Sequence, residues 1–254
     1  MVRKLFTPRW ILIHLGVIAL IIFMINLGLW QLDRLDSKRS VNRAVAERTV
    51  QPVVPYSTVL QENPDNPKNL EWRRVELKGA YRVDKPVTLI NRSSNGAAGY
   101  NSLVPFQMET GDVMLVNRGF VPLATPNPKA PEGSLQIVGY LRVSQSRSTL
   151  GAIDNTDLTN TEFQRVDIPL IMKHVGAPPV EHFLQLIEES PSTKAEWPEP
   201  VAVPEPSEGS HLSYAFQWFF FCLVAFVAWI VVIRRRLRDT STPSDLAAPS
   251  DTSA

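Results

Sequence analysis

The sequence predicts a membrane protein with two transmembrane α-helices that flank a mostly antiparallel-β (α+β) extracytoplasmic domain. Three observations predict this fold class. Two uncharged apolar runs lie near the two ends of the chain, at residues 10–30 and 212–233. Short apolar or alternating stretches lie between them, separated by turn residues, which is typical of antiparallel strands. Arginines follow the second apolar run directly, which indicates a cytoplasmic end.

The first span, residues 10–30, carries no formal charge. At about 1.5 Å per residue it is long enough to cross a hydrocarbon core of about 30 Å. Trp10 and Trp30 lie at its two ends, where amphipathic rings favour the membrane interface. Because the run is longer than that of a signal peptide and no small-residue cleavage site follows it, we expect an uncleaved anchor. Residues 1–9 are then a cytoplasmic N-terminus.

The second span, residues 212–233, determines the predicted orientation. Lys194 is the only cation among the twenty residues before it, whereas four arginines follow it: Arg234, Arg235, Arg236 and Arg238. This asymmetry predicts a cytoplasmic C-terminus. Two crossings return the chain to the same side of the membrane, so both termini are predicted to be cytoplasmic. Residues 234–254 are expected to form the basic stop and a disordered tail.

Residues 31–189 are predicted to form the extracytoplasmic domain. A helical pattern continues from the first span to residue 48, and Pro52 and Pro55 stop it. Stretches with strand character follow, with turn signals between them, at 72–77, 87–90, 103–108, 113–117 and 135–143. Their even spacing favours an antiparallel sheet or a small barrel.

The outer domain is completed by a predicted short helix at 169–175 and a last strand at 182–187. Residues 190–211 are rich in proline and are predicted to form a stiff linker that returns the chain to the membrane.

Composition limits the function classes. The 254 residues carry a formal net charge of +1, without the basic excess of a nucleic-acid binder, so we expect no nucleic acid as a partner. The two apolar spans predict the lipid bilayer as a partner. The only cysteine, Cys222, lies inside the second span and cannot form an intramolecular disulfide. No zinc-protease, phosphate-loop, dinucleotide or nucleophile-elbow motif occurs. Asp154 and Asp157 could form an acid–base pair, but a solvated loop is the favoured interpretation, and we expect no enzyme.

The four histidines differ in what they indicate. His174 and His182 are expected to be ordinary surface or semi-buried residues of the outer domain. His14 lies about one turn inside the cytoplasmic end of the first span, and His211 lies at the outer mouth of the second. The two are separated by about 24 Å along the membrane normal, so they cannot bind one metal ion within a single molecule.

His211, Tyr214 and Trp218 follow helical spacing and share one helix face. An imidazole beside two aromatic rings at a membrane surface suits haem, because the imidazole supplies an axial nitrogen and the rings pack against the macrocycle. Nearby cations can pair with the propionates. The alternative is a simple interfacial anchor, since Tyr and Trp are common at membrane surfaces.

Four blocks of the sequence carry a resemblance to a known family. The blocks are LGLWQLDR at 27–34, WRRVELKG at 72–79, VPF at 104–106 with LVNRGFVP at 115–122, and HLSYAFQW at 211–218. Together they resemble the Surfeit-locus family of cytochrome c oxidase assembly factors, in which two transmembrane helices flank a domain outside the cytoplasm. Phe120 stands where this family usually has Trp, and Gly209-Ser210 replaces the usual Asn before the histidine.

The resemblance implies a function and a site. The protein would assist the delivery of haem a to subunit I of cytochrome c oxidase, or its insertion there, and stabilise the assembly intermediate, with other assembly factors or haem a synthase as further partners. Haem a would bind transiently, with His211 as the implied ligand, Tyr214 and Trp218 beside it, and no metal other than the haem iron. Supporting motif positions are Trp30, Gln31, Arg34, Asn117, Arg118 and Gly119.

Two alternative functions are also compatible with the sequence. One is a membrane scaffold that holds subunit I without binding haem. The other is a two-span envelope sensor or receptor, which the lack of a folded cytoplasmic output module disfavours. Because no presequence precedes the first span, we expect a multi-pass protein of a bacterial plasma membrane rather than of a mitochondrial inner membrane.

Overall fold

The computed structural model describes residues 6–64, 66–157, 159–192 and 195–238, so the predicted tail at 239–254 and Lys194 lie outside the described residues. The helices are α1 (Pro8–Arg48), α2 (Tyr56–Glu62), α3 (Ile168–Val175) and α4 (His211–Arg238), with a 3-10 turn at Pro67–Leu70. The strands are β1 (Val54–Pro55), β2 (Arg74–Tyr81), β3 (Val87–Ser94), β4 (Ala97–Met108), β5 (Val113–Pro122), β6 (Leu135–Val143), β7 (Glu162–Phe163) and β8 (His182–Ser190).

The chain divides into two units. The first comprises the residues up to Asn42 and those from Pro206 onward, and the second is Arg43–Glu205. In the first unit α1 and α4 are long and apolar enough to cross a membrane, by length and composition. In the most apolar 18-residue window of each helix, 11% of the α1 residues and 0% of the α4 residues are buried. Their apolar side chains are therefore largely exposed, unlike those of a soluble core helix.

The two long helices lie antiparallel and touch along their length. Gly28 of α1 packs against Phe219 of α4, and a Cβ atom at position 28 would lie only 2.7 Å from the ring atom Cε1. Ala215, four residues earlier on α4, is 1% exposed. The thiol of Cys222 approaches the carbonyl oxygen of Ile21 at 3.8 Å. Small residues at the crossing let the two backbones come close, as is common between membrane helices.

The described part of the second unit contains one eight-stranded sheet in the order β1-β2-β6-β8-β5-β4-β3-β7. An additional pairing joins β2 to β4, so that β2, β6, β8, β5 and β4 close into a small barrel. Strand β4 makes this closure possible because it is 12 residues long. Its first part pairs with β3, and its end, near Phe106, pairs with β2. A register shift at Ser102/Leu103 marks a bulge, a feature that bends strands in closed sheets.

The sheet is mixed, so the prediction of a mostly antiparallel sheet is wrong in this respect. The pairs β1–β2, β3–β7 and β5–β8 are parallel. Antiparallel partners such as β4 and β5 follow one another in the sequence, and their spacing reveals them. The parallel partners come from distant segments, and β1 and β7 have only two residues each. Neither property leaves a periodic signal.

Two hydrophobic cores lie on the two faces of the sheet. The barrel interior is filled by apolar side chains of several strands, including Val75, Phe106, Met114, Ile137 and Leu184. The second core lies between the strands β3 to β5 and helix α3, and it includes Leu89, Leu115, Phe163, Ile171 and Phe183. Because β5 contributes to both cores, nearly all of its residues are buried.

Helix α3 is capped at both ends by neighbouring residues. Asp167 accepts a hydrogen bond from the backbone N–H of Leu170 at its N-cap, and Gly176 adopts a left-handed conformation with φ 73° at its C-terminus. This confirms the helix predicted at 169–175.

Part of the predicted return linker is bound to the sheet. Phe120 of β5 donates its backbone N–H to the carbonyl oxygen of Glu199 at 2.7 Å, and the N–H of Glu199 donates back at 2.9 Å. The rings of Phe120 and Trp197 meet edge to face at 6.1 Å, and Gln185 donates to the carbonyl oxygen of Val201. We call residues 197–201 the strap. Over this stretch the chain is an added edge of the sheet rather than a bare spacer.

Candidate functional site

His211 is the first residue of α4 and the centre of the predicted site. The chain turns into the helix at Gly209, whose φ of 65° is left-handed, and the backbone N–H of Tyr214 donates to the carbonyl oxygen of Ser210. The His211 ring is half-buried, and its Nδ1 lies 2.8 Å from Oε1 of Gln31 on α1. Two residues 180 positions apart in the sequence are thus in direct contact.

The Nε2 edge of the His211 ring faces Gly209, which has no side chain to cover it. A Cβ atom on Gly209 would lie 3.5 Å from Cδ2 and 3.6 Å from Nε2 of the ring, so glycine leaves the Nε2 edge less covered than any other residue would. Nδ1 is engaged by Gln31, and Nε2 is the nitrogen that remains for a metal. The site residues therefore fit an axial histidine ligand of a haem.

Four further predicted site residues, Tyr214, Trp218, Trp30 and Arg34, lie on the same two helices. Tyr214 is 49% exposed, and Trp218 is half-buried with its ring 6.1 Å from that of Phe221. On α1, Trp30 is 53% exposed, and Arg34 is exposed one turn beyond Gln31. The predicted face of His211, Tyr214 and Trp218 is present as helical spacing requires.

An exposed ion pair joins α1 to the segment that precedes α4. Arg39 binds Glu208 in bidentate fashion, with Nε to Oε1 at 2.8 Å and Nη2 to Oε2 at 2.9 Å. The hydrogen bond from Arg39 holds the pKa of the Glu208 carboxyl below its usual range, and the hydrogen bond to Glu208 raises the pKa of Arg39. Sequence spacing could not reveal this contact, since its partners are 169 positions apart.

The opposite end of the helix pair contains a second histidine contact that the sequence did not reveal. Trp229 donates its indole N–H to Nδ1 of His14 at 3.0 Å. The His14 ring also lies 5.7 Å from that of Trp10. His14 and His211 thus contact the partner helix at opposite ends, in agreement with their predicted separation.

Asn117, Arg118 and Gly119 lie in β5 and organise the sheet domain itself. Arg118 is 2% exposed, and its Nη2 donates to Glu189 Oε1 at 3.1 Å. Its Nη1 lies 3.3 Å from the carbonyl oxygens of residues 128 and 129. Tyr81 lies under the guanidinium, 5.5 Å from the ring centroid, and donates to the other oxygen of Glu189. Burial, together with the negative charge of Glu189, raises the pKa of Tyr81.

Gly119 is required by the strap. Its φ is 131°, and a Cβ atom there would lie 2.0 Å from the carbonyl oxygen of Glu199. Its N–H is accepted by Oδ1 of Asn117 at 3.2 Å. In the Asn-Arg-Gly motif, Asn117 therefore accepts a backbone hydrogen bond within β5, and Arg118 pairs with the buried carboxylate of Glu189. Gly119 leaves the space that the strap occupies.

His182 is fully buried, so the prediction of a surface or semi-buried position is wrong for it. Its Nδ1 lies 3.2 Å from the hydroxyl of Tyr56. Burial, then the charges of Glu181 and Asp112, raises the pKa of Tyr56 to about 12. His182 begins a strand that is covered on both faces, a position that a single sequence cannot distinguish from an exposed strand end. His174 is half-buried as predicted.

The solvated loop predicted for Asp154 and Asp157 is correct for Asp157 and wrong for Asp154. Asp154 is 8% exposed and is bound by Arg165 at 2.6 Å, so it is not solvated. Asp157 is exposed and caps a turn at Thr159, whose backbone N–H lowers the pKa of its carboxyl. Among the described residues, no group of three or more His, Cys, Asp or Glu side chains could hold a metal ion.

Comparison with known proteins identifies the family. The SURF1 family profile matches residues 18–223, most of the chain. The chain belongs to the SURF1 family. The match includes all four sequence blocks on which the resemblance rested, and it therefore contains both Gln31 and His211.

The similar proteins include SURF1-like and Surfeit locus proteins of bacteria and animals. An uncharacterized SURF1-like protein of Mycobacterium tuberculosis is 28% identical over 256 residues, covering 95% of this chain and 92% of the relative. Surfeit locus protein 1 of Takifugu rubripes is 24% identical over 234 residues, covering 84% and 93%. Surfeit locus protein 1 of Homo sapiens is 26% identical over 193 residues, covering 68% and 61%.

Proposed function

We propose that this SURF1-family protein is an assembly factor for cytochrome c oxidase that assists haem a delivery to subunit I and stabilises the assembly intermediate. Membership of the family supports the general role. The contact between His211 Nδ1 and Gln31 Oε1 at 2.8 Å carries the haem part of the proposal. It leaves a half-buried imidazole with one clear ring nitrogen at the end of an apolar helix.

The proposed setting is a bacterial plasma membrane, with both termini cytoplasmic and the central domain outside. The exposed apolar faces of α1 and α4, and the arginines that end α4, support this topology.

A cysteine label tests the proposed orientation. In a Cys222→Ser background, a cysteine at exposed Ser134 should react with a membrane-impermeant maleimide in intact cells. Labelling of Ser134→Cys only after lysis would contradict the proposed orientation.

The residues of the helix pair can hold haem a as a cargo. Haem a supplies an iron that takes an axial nitrogen ligand, and His211 offers Nε2 for it. Tyr214 and Trp218 provide aromatic surface on the same helix face. Arg34, exposed beyond Gln31, can pair with a propionate. These residues would hold haem a by one imidazole, aromatic contacts and a surface cation, as expected for a transient cargo.

No catalysed reaction is part of this proposal. The chain binds and orients the cargo, and the partners are subunit I, other assembly factors or haem a synthase. A scaffold that holds subunit I without haem would use the same exposed helix faces, and it differs from the haem carrier in making no use of His211.

The test is complementation in a strain that lacks the gene. Wild-type protein and His174→Ala should restore the haem a content of the oxidase, measured from its reduced visible bands per unit of subunit I. His211→Ala should restore much less at equal protein level. Normal haem a content in the deletion strain would contradict the family role, whereas full rescue by His211→Ala would leave the scaffold as the better account.

A further inference from the structure

We infer that Gln31 is a positioning residue, which fixes the tautomer of His211 so that Nε2 carries a free lone pair toward the haem iron. The role of Gln31 toward the cargo rests on the proposed function, whereas its effect on the histidine tautomer does not. Gln31 itself does not touch the iron in this assignment.

The hydrogen bond determines where the ring proton lies. The amide oxygen of glutamine can only accept, so Nδ1 of His211 must be the donor across the 2.8 Å contact. A neutral imidazole carries one ring proton, and Nε2 is then bare. Only the bare nitrogen can bind a metal, and a histidine that ligates a metal almost always donates its other N–H to an oxygen.

His14 shows the opposite arrangement on the same helix pair. The indole N–H of Trp229 can only donate, so Nδ1 of His14 must accept across the 3.0 Å contact. The ring proton of neutral His14 then lies on Nε2, and this ring offers no free nitrogen while the contact holds. Of these two rings, only that of His211 has an unprotonated nitrogen that is not already engaged in a hydrogen bond.

The surroundings of the His211 ring fit this assignment. Gly209 leaves the Nε2 edge without a neighbouring Cβ, which would otherwise lie 3.6 Å from that nitrogen. Gln31 lies on α1, where the packing of Gly28 against Phe219 fixes the helix pair one turn away. The acceptor for Nδ1 is thus supplied by a side chain anchored on a second helix, not by a mobile loop.

The tautomer can be measured without any haem. Full-length protein with ¹⁵N-labelled histidine, in lipid nanodiscs at pH 8, gives ring ¹⁵N–¹H correlations that distinguish protonated from bare nitrogens. We expect the Nδ1–H form for His211 and the Nε2–H form for His14, which serves as an internal reference. In Gln31→Leu, the His211 signal should shift toward the Nε2–H form that histidine prefers in water, while His14 stays unchanged.

Matched variants separate positioning from general damage. Asn26→Leu removes another amide from α1, one that donates to the carbonyl oxygen of Ile22 in its own helix, and it should leave the His211 tautomer unchanged. Gln31→Glu keeps an oxygen acceptor and should retain the Nδ1–H form. An Nε2–H tautomer of His211 in the wild type, or an unchanged tautomer in Gln31→Leu, would overturn the inference.

Haem binding is tested separately with ferric protohaem as the probe. Gln31→Leu should weaken binding about 10-fold or more, as is usual when an outer partner of a metal ligand is lost. Gln31→Glu should bind as the wild type does, with a lower reduction potential, because a stronger acceptor makes the imidazole more basic. Equal affinities of the wild type and Gln31→Leu would overturn the positioning role. Absence of binding to wild-type protein that has the expected tautomer would instead contradict the proposed function.

Discussion

At the scale of single residues, the best-defined buried charge is Arg118, which lies between Glu189 and Tyr81 in the sheet domain. Breaking a buried ion pair leaves one charge without compensation and typically costs about 3–5 kcal/mol. We expect Arg118→Met to lower the free energy of unfolding by about that amount, and Arg118→Met with Glu189→Gln to recover part of it. Denaturant titration of the full-length protein, followed by tryptophan fluorescence, measures both.

The exposed pair of Arg39 and Glu208 is the control for this prediction. Solvent screens it, so Arg39→Ala should leave the unfolding midpoint unchanged. Equal effects of Arg39→Ala and Arg118→Met would contradict the assignment of Arg118 to a buried structural pair.

Tyr56 predicts a pH dependence at the same scale. Its pKa is raised to about 12 in the folded protein by burial first and by nearby carboxylates second, against about 10 when unfolded. Above pH 10 the unfolded state loses its proton first, so this contribution is present below pH 10 and is lost as the pH rises through 12. Between pH 10 and 12 the wild type should lose roughly 3 kcal/mol more stability than Tyr56→Phe. Parallel stability curves for the two proteins would contradict the pKa shift.

Residue-level contacts show where sequence reasoning stops. Helical spacing places His211, Tyr214 and Trp218 on one face, because that relation is local. The contact of His211 with Gln31 depends on the axial register between the two helices. No periodicity within either helix encodes that register. The burial of His182 depends in the same way on strands that are distant in sequence.

At the scale of elements, the packing of α1 on α4 depends on Gly28. A leucine there meets Phe219, two of whose ring atoms would lie within 3 Å of the new Cβ. A Cβ added to Gly16 would have no described atom within 4 Å. With Ile21→Cys, oxidative crosslinking to native Cys222 reports the pairing of the helices. Gly28→Leu should reduce the crosslinking yield severalfold and Gly16→Leu should not. Equal yields would contradict the observed packing.

The contact of the strap with β5 depends on Gly119. Gly119 and Gly111 both have left-handed φ values, but only Gly119 faces a backbone oxygen, that of Glu199, where a side chain would be added. Gly111→Ala should cost about 1–3 kcal/mol from backbone strain alone, and Gly119→Ala more. Hydrogen exchange at the amide of Phe120 should accelerate only in Gly119→Ala. Unchanged exchange there would mean that the strap does not protect β5.

Strands and helices with periodic patterns were predictable, and their partners were not. The stretch 135–143 coincides with β6, and the predicted helical extension to residue 48 is the end of α1. The parallel pairing of β5 with β8 requires a segment nearly 70 residues later in the chain to return beside β5. Turn signals define neighbours in sequence, so they could not reveal this mixed topology or the strap.

At the scale of the whole molecule, the net charge of +1 is a sum over regions of different sign. Residues 1–30 carry +3 and residues 212–238 carry +4, whereas residues 31–211 carry −3 and the remainder −3. The positive charge is therefore concentrated in the segments that contain the two apolar spans, and the negative charge lies between them and in the tail. It agrees with the proposed topology, in which the arginines that end α4 remain in the cytoplasm.

The central claim is that His211 binds haem a. Its most direct test is the reduced visible spectrum of full-length protein purified from cells that make haem a, with haem counted per polypeptide. Wild type and the control His14→Ala should carry haem, and His211→Ala should carry at least 10-fold less. Wild-type protein without haem, or equal occupancy in His211→Ala, would contradict the claim.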